Sequence, residues 1–399
     1  MANTLKFGNG EWAIKEGSAL AYNDENGNFK PLPFDFTRAS TATYVAKDGL
    51  IKTAAIGEPR IDFLNNSDGA LKLEPQRTNN IQQSEDYSNA YWAKSVSISS
   101  DATTSPDGLT NADKLIESST NTQQWAYRLN LAITSGLSYT ISIFAKKEEV
   151  RYLQMRLLTN INLNAIFDLD LGTITRTVGG IASIEDYGNG WYKCSVSGTA
   201  TSTGNAEHYL NLNTNGYTSG QSYLGDGTSG IYVWGSQLEQ GSYPTSYIPT
   251  QGSTVTRVGE SSLQGGFQDK NIFGSTQGSV VLEFKWDIGA YVFDLSDASG
   301  IRLRIFDGGS DWKIRDYTGA SWVNTGFAKS NNVKTKIAFK WNGTELTTFQ
   351  DGVKSSSTDS FASSMSIESI TTNKLNNTSN MQFYNTALTD QELINLTTL

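Results

Sequence analysis

The sequence predicts an all-β fold: antiparallel β-sandwiches preceded by an extended N-terminal arm and closed by one short C-terminal helix. Three observations predict it. Apolar stretches are short, alternate with period two and are bounded by Gly, Asn, Asp or Ser, the pattern of half-buried antiparallel strands. Long amphipathic helices are absent. A single convincing helix start occurs, at the far end of the 399 residues.

Residues 1–80 hold four of the seven prolines, Pro31, Pro33, Pro59 and Pro75, and few periodic apolar runs. They read as an arm that gains order by binding partners, so its deletion is expected to spare the rest of the fold. Residues 81–250 are strand-rich, with QWAYRLNL (124–131), SYTISIFA (138–145), LNAIFDLDL (163–171) and IYVWGSQL (231–238). Pro244, Pro249 and the glycines that follow mark a boundary, with 251–269 as linker. Residues 270–399 lack proline and again alternate, in SVVLEFKW (279–286) and TKIAFKW (335–341), with Asn342-Gly343 and Asp351-Gly352 as tight turns. Thr389 followed by Asp390, Gln391 and Glu392 is a capping box feeding Leu393, Ile394 and Leu396.

Composition excludes several chemistries. One Cys rules out an internal disulfide, and one His rules out a multi-histidine metal centre. Any catalysis would have to run on carboxylates or on one His. A net charge of −9 without a basic cluster argues against nucleic acid, whose backbone demands Lys and Arg. No apolar stretch reaches 18 residues and no apolar leader opens the chain, so membrane insertion is not expected.

Several segments carry a resemblance. FDFTRASTATYVAKDGLIKTAAIGEPRIDF (34–63) and LKLEPQRTNNIQQSEDYSNAYWAK (71–94) resemble a module of tailed-bacteriophage structural proteins. DYGNGWYKCSVSG (186–198) and YVWGSQLEQGSYPTSYIPT (232–250) are similar to the jelly-roll, carbohydrate-binding-like domain that follows it there. KIAFKWNGTELTTFQDGVK (336–354) and FYNTALTDQELINLT (383–397) resemble a concanavalin-like or laminin G-like sandwich. The resemblance implies a virion component on the outer surface of the particle, a tail fibre, tail spike or head fibre. It implies other virion proteins and host cell-surface polysaccharide as partners, and a homo-oligomer, with a trimer common among fibres. No heptad stretch specifies one.

His208 alternates with Leu210 and Leu212, and Cys194 with Tyr192 and Val196, so both are expected as scaffold atoms. Gly225 to Gly230 (GDGTSG) matches a dinucleotide spacing but leads into a strand, so it reads as a plain turn. Asp168 and Asp170 share a strand face and are a weak calcium candidate; the pattern alone favours a solvated face. Asp294 and Asp297 lack the spacing of a calcium loop. Trp191 and Tyr192 are expected to pack the sandwich.

Strand alternation gives the binding candidates. With Trp125, Tyr127, Leu129 and Leu131 inward, Gln124, Arg128 and Asn130 turn outward. The same treatment of 151–158 and 208–213 exposes Gln154, Arg156, Tyr209 and Asn211. Together they would assemble a polar face with an aromatic ring and two guanidinium groups, suited to a glycan or an acidic sugar. An ordinary solvated sheet face or a subunit contact fits the pattern somewhat better. The function expected is therefore non-enzymatic host attachment, with an architectural subunit as alternative and a polysaccharide depolymerase behind both, since no carboxylate pair can be nominated.

Overall fold

The computed structural model describes residues 4–8, 18–23, 29–264, 277–285, 291–297, 300–307, 311–316, 321–328, 333–343, 345–360, 369–371, 378–384 and 386–399. Ladders among the described residues run antiparallel, and one helix, Asp390–Thr397, ends the chain. The chain divides into two compact units, Asp48–Lys52 with Gln76–Arg257, and Met1–Lys47 with Thr53–Pro75 and Val258–Leu399.

In the unit built on Gln76–Arg257, two six-stranded sheets form a sandwich. One runs in the order Ser97–Thr104, Thr110–Ile116, Gly230–Gln240, Ser138–Lys147, Trp191–Thr199 and Ile181–Asp186. The other runs Thr173–Val178, Leu163–Asp168, Tyr152–Leu158, Gly204–Asn213, Trp125–Ile133 and Ala93–Lys94. Their facing side chains make a single core: Ile141, Ile143, Val196 and Val233 from the first meet Leu153, Met155, Leu157, Phe167, Leu210 and Leu212 from the second. The alternation of apolar positions along each strand places these residues inward. Between Val178 and Ile181 the chain crosses from one sheet to the other on Gly179 and Gly180. A Cβ on Gly180 would lie 2.2 Å from the carbonyl oxygen of Ser197, so no larger residue fits there.

The second unit pairs two further sheets. In the first, Gln277–Lys285 lies between Lys334–Asn342 and Thr378–Tyr384, and Thr378–Tyr384 also pairs with Thr4–Gly8 and, at its end, with Ala70–Lys72. In the second, Phe29–Thr37 pairs with Ser261–Gln264, which pairs with Ser369–Thr371 and leads on to Tyr291–Asp297. Phe36, Ile61, Leu71 and Leu73 share the core with Val280, Leu282, Phe339, Trp341, Met381 and Phe383. The helix covers the other face of the first sheet through Leu393, against Val281, Ala338, Phe349 and Tyr384. Its capping box forms as the sequence predicts: Thr389 Oγ1 accepts from Glu392 N at 3.3 Å, and Thr389 N donates to Glu392 Oε2 at 2.8 Å.

Two expectations are corrected here. The arm expected over residues 1–80 is not free-standing, because its described residues up to Lys47 and over Thr53–Pro75 belong to the unit that holds the C-terminal sandwich, to whose core they give four apolar side chains. Residues 251–264 are not a linker either. Val255–Arg257 pairs with Arg77–Asn79, and Ser261–Gln264 joins a sheet; the remainder of that stretch, 265–269, lies outside the described residues.

The arm's polar residues are consumed in the same unit. Glu260 accepts from Arg38 Nη1 at 2.7 Å and Arg60 Nε at 2.8 Å and also pairs with Arg60 Nη2; Glu74 Oε2 stands 2.9 Å from Arg60 Nη2. All four are buried. The arginines fill their remaining donors on the carbonyls of Ser40, Ala55 and Thr43. This charge-balanced cluster ties the 38–74 segment to residue 260.

Candidate binding face

The outer face of the sheet containing Tyr152–Leu158, Gly204–Asn213 and Trp125–Ile133 gathers the polar and aromatic residues that could meet a ligand. In register, Gln154 lies opposite Asn211 and Arg156 opposite Tyr209; across the next ladder Asn211 faces Trp125 and Tyr209 faces Tyr127. Two rows of side chains therefore cross three strands, close enough to touch. Trp125 and Tyr209 rings stack at 4.9 Å, Tyr127 and Tyr209 at 5.4 Å, and Trp125 and Tyr127 stand 5.3 Å apart. The Arg156 guanidinium sits 4.8 Å from the Tyr209 ring centre and 5.7 Å from that of Trp125. All four side chains are half-buried.

Trp125 and Tyr127 occupy this face because the strand changes parity. Ala126, fully buried, is the core residue, and the ladder slips between Arg128 and Leu131, with Asn130 at φ 61°. Asparagine tolerates that left-handed conformation, so a bulge forms and Leu131 and Ile133 return to the core. The expectation that Trp125 and Tyr127 point inward is thereby reversed.

The same parity change removes two candidates. Gln124 is fully buried, and its amide ties down neighbouring backbone: Nε2 donates to the carbonyls of Thr120 (3.1 Å) and Tyr223 (3.2 Å), while Oε1 accepts from Ser118 N (2.7 Å). Arg128 lies 4.0 Å above the Tyr91 ring and donates to the Tyr91 carbonyl, away from the aromatic rows. Four candidates, Gln154, Arg156, Tyr209 and Asn211, do share the outer face, but Gln154 and Asn211 are buried there. Gln154 Nε2 donates to Ser219 Oγ (2.7 Å) and Asn164 Oδ1 (2.8 Å), and its Oε1 accepts from Gly220 N (3.0 Å). Asn213 Nδ2 adds a bond to the Thr218 carbonyl at 2.6 Å. These amides fasten the 214–221 loop over one side of the face.

Electrostatics separate the groups further. Tyr209 donates to Glu207 Oε2 at 2.8 Å, and burial together with that bond pushes its hydroxyl up to about 12. Burial pulls Arg156 below its ordinary value, with Tyr209 opposing weakly. Asn211 is 2 % exposed, and neither of its amide atoms has a hydrogen-bond partner within the protein.

The calcium candidate is corrected. The strand ends at Asp168, so Asp170 sits in the following turn, and cations of the chain already hold both carboxylates. Arg151 grips Asp168 with two bonds of 2.8 and 2.7 Å, and Lys147 donates to Asp170 at 2.5 Å. The bonds from Arg151 hold the Asp168 carboxyl below its usual range, against burial. Among the described residues no cluster of three metal-ligating side chains occurs.

His208 and Cys194 are scaffold atoms as expected, both fully buried. His208 Nδ1 lies 3.3 Å from the Arg156 carbonyl, Nε2 lies 3.4 Å from Ser236 Oγ, and Trp92 packs edge-on against the ring. Burial lowers its pKa from 6.5 to about 4. The unfolded chain therefore takes up a proton that the folded chain refuses between those values. Stability contributed here is complete above pH 6.5 and falls as pH drops toward 4, by roughly 3 kcal/mol at most. Burial raises Glu85 and Asp113, which act in the opposite sense. Urea unfolding of the wild type and His208→Gln across pH 7 to 4 isolates the histidine: the wild type is expected to lose more stability, and equal losses would contradict it.

The GDGTSG segment is the plain turn expected. Asp226 Oδ1 accepts from Thr228 N and Ser229 N at 2.7 Å each, Gly227 has φ 80°, and the strand Gly230–Gln240 follows.

Known proteins add little to this geometry. No protein-family profile and no curated protein matches the sequence. Among solved structures, domain 4 of an extracellular arabinanase from Geobacillus stearothermophilus, in complex with arabinotriose, is similar at 15 % identity and TM-score 0.28, over 40 % of this chain and 82 % of that one. Trypanosoma rangeli sialidase in complex with sialic acid aligns at 10 % identity and TM-score 0.27, over 71 % of this chain and 59 % of that one. Likeness at this level carries no argument about function.

Proposed function

We propose that this chain is a non-enzymatic structural protein that binds cell-surface saccharide on the outer face of its central sandwich. The observation that carries the reading is the joining of Trp125, Tyr127 and Tyr209 into one half-exposed aromatic cluster beside Arg156. Sugar rings pack their C–H faces on aromatic surface while their hydroxyls take hydrogen bonds from polar neighbours, and this face offers both. Resemblance of residues 34–63 and 71–94 to modules of tailed-phage structural proteins supports a virion setting, with host polysaccharide as ligand.

A purely architectural subunit is the second reading. The exposed edge strands Thr173–Val178 and Ile181–Asp186, which present Ile174, Val178 and Ile181 to solvent, favour it.

Binding to host cells and to their purified polysaccharide distinguishes the two. Saturable binding is expected, and each ring is worth on the order of 1 kcal/mol. Trp125→Ala combined with Tyr209→Ala should therefore weaken binding roughly 30-fold while leaving the thermal transition in place. Absence of saturable binding by the wild type would leave the architectural reading.

A further inference from the structure

We infer that the saccharide taken by this face carries a carboxylate, bound by Arg156; the inference rests on the saccharide-binding reading above. Four arginines of this chain are paired with carboxylates. Arg38 and Arg60 share Glu260, Arg151 grips Asp168 with two bonds, and Arg304 grips Asp294 at 2.6 and 2.7 Å. Arg156, like Arg128, has no such pair; unlike Arg128, which lies over Tyr91, it stands on the outer face beside the aromatic cluster. Among the described residues no carboxylate lies within ion-pair distance of it. Its contacts are the amide oxygen of Gln123, 3.2 Å from Nη2, and the faces of two aromatic rings. Its Nε is buried without a hydrogen-bond partner.

A half-desolvated cation without a counter-ion is costly, and the burial that lowers its proton affinity is the same cost seen another way. Glu207 does not neutralise it: that carboxylate accepts from the Tyr209 hydroxyl. Planar guanidinium groups match carboxylates through paired N–H donors, and such charge-assisted bonds are about twice as strong as neutral ones. A ligand carboxylate would supply the missing partner for a group already oriented by Tyr209, Trp125 and Gln123.

One further observation points to a ligand at the same place. Asn211, between Gln154 and Trp125 in the ladders, is buried with both amide atoms unpartnered. Gly220, at φ 61°, lets the 214–221 loop run close to the guanidinium; a Cβ there would stand 3.1 Å from Arg156 Nη1. Gln154 fastens this loop and is a positioning residue rather than a contact.

General attraction of polyanions does not explain such binding. With 40 acidic residues against 31 basic ones, the chain repels them at long range, so recognition has to come from this local contact.

A glycan panel tests the inference when it pairs glucuronate-, galacturonate- and N-acetylneuraminate-containing oligosaccharides with their carboxyl-reduced counterparts. The wild type is expected to prefer the acid of at least one pair by about tenfold or more. Arg156→Gln should bring that pair to equal affinity, and Arg156→Lys should restore only part of the preference, because it keeps charge without the fork. Unchanged circular dichroism and melting temperature establish that each variant is folded. If acid and reduced forms bind equally, and Trp125→Ala with Tyr209→Ala abolishes both, the carboxylate inference is wrong while saccharide binding stands. Preference for the acid that survives Arg156→Gln also overturns it. No binding to either member of any pair overturns the carboxylate inference, and binding to the host polysaccharide then decides the saccharide reading separately.

Discussion

Removal of residues 1–75 is expected to unfold the unit that contains the C-terminal sandwich, leaving the unit built on Gln76–Arg257 folded. Truncation takes Phe36, Ile61, Leu71 and Leu73 out of the core. At roughly 1.5–3 kcal/mol for each buried side chain, the loss is about 6–12 kcal/mol, comparable to the whole stability of a typical domain, about 5–15 kcal/mol. The strand Thr378–Tyr384 also loses its ladder with Thr4–Gly8, and Glu260 is left buried without either arginine. The other unit loses only Asp48–Lys52, including the bond from Ile51 N to the Pro106 carbonyl. Far-UV circular dichroism, limited proteolysis and two-transition thermal unfolding read this directly. Survival of a protease-resistant fragment spanning 277–399 would show that the N-terminal strands are dispensable.

That expectation reverses the one drawn from the sequence, and the reason is physical. Alternation identified the strands of the central and C-terminal blocks because large apolar side chains recur at every second position, Tyr139, Ile141 and Ile143 in Ser138–Lys147 and Ile337, Phe339 and Trp341 in Lys334–Asn342, although the first is buried on both faces from Tyr139 to Ala145. The N-terminal segment has no such periodicity: Arg60–Asp62 and Ala70–Lys72 are three residues each and buried on both faces. Their polar side chains are buried in ion pairs with one another and with residue 260, which local pattern cannot reveal because the partner is 200 residues away. Composition therefore made a buried element look like a solvated arm. The capping box at Thr389 was legible because every atom in it lies within four residues.

The binding face was half legible for a related reason. Gln154, Arg156, Tyr209 and Asn211 follow regular alternation, and their shared face could be read from their neighbours. In QWAYRLNL the apolar positions at odd numbers suggested an inward face, but one bulge at Asn130 exchanges the two faces of the strand upstream of it. Ala126, too small to advertise itself as core, is the residue that decides the parity, opposite Leu210. Regular alternation consequently places Trp125 and Tyr127 on the wrong side, and Gln124 and Arg128 on the face the aromatics occupy. Burial of Gln154 and Asn211 depends on the 214–221 loop, whose path no strand pattern encodes.

Glu260→Gln is expected to destabilise the same unit by about 3–5 kcal/mol, the usual cost of removing one member of a buried ion pair. Glutamine preserves the shape, so the effect isolates the charge. In the wild type the Arg38 and Arg60 guanidinium groups face Glu260, and Arg60 also meets Glu74; the variant removes the Glu260 charge from both. Arg38 then loses its 2.7 Å pair with Glu260, while Arg60 keeps Glu74 at 2.9 Å. Glu74→Gln should consequently cost less, since Glu260 still meets both arginines. Combining Glu260→Gln with Arg38→Met removes the cation that Glu260 paired and should recover part of the loss, giving a coupling energy of about 0.5–3 kcal/mol in the range found for residues in contact. Chemical denaturation followed through the transition of this unit measures these three variants, with Arg38→Met alone closing the cycle. A Glu260→Gln midpoint within 1 kcal/mol of the wild type would mean that the two arginines reach solvent or another acid. In that case the 38–74 segment is held by its apolar side chains alone.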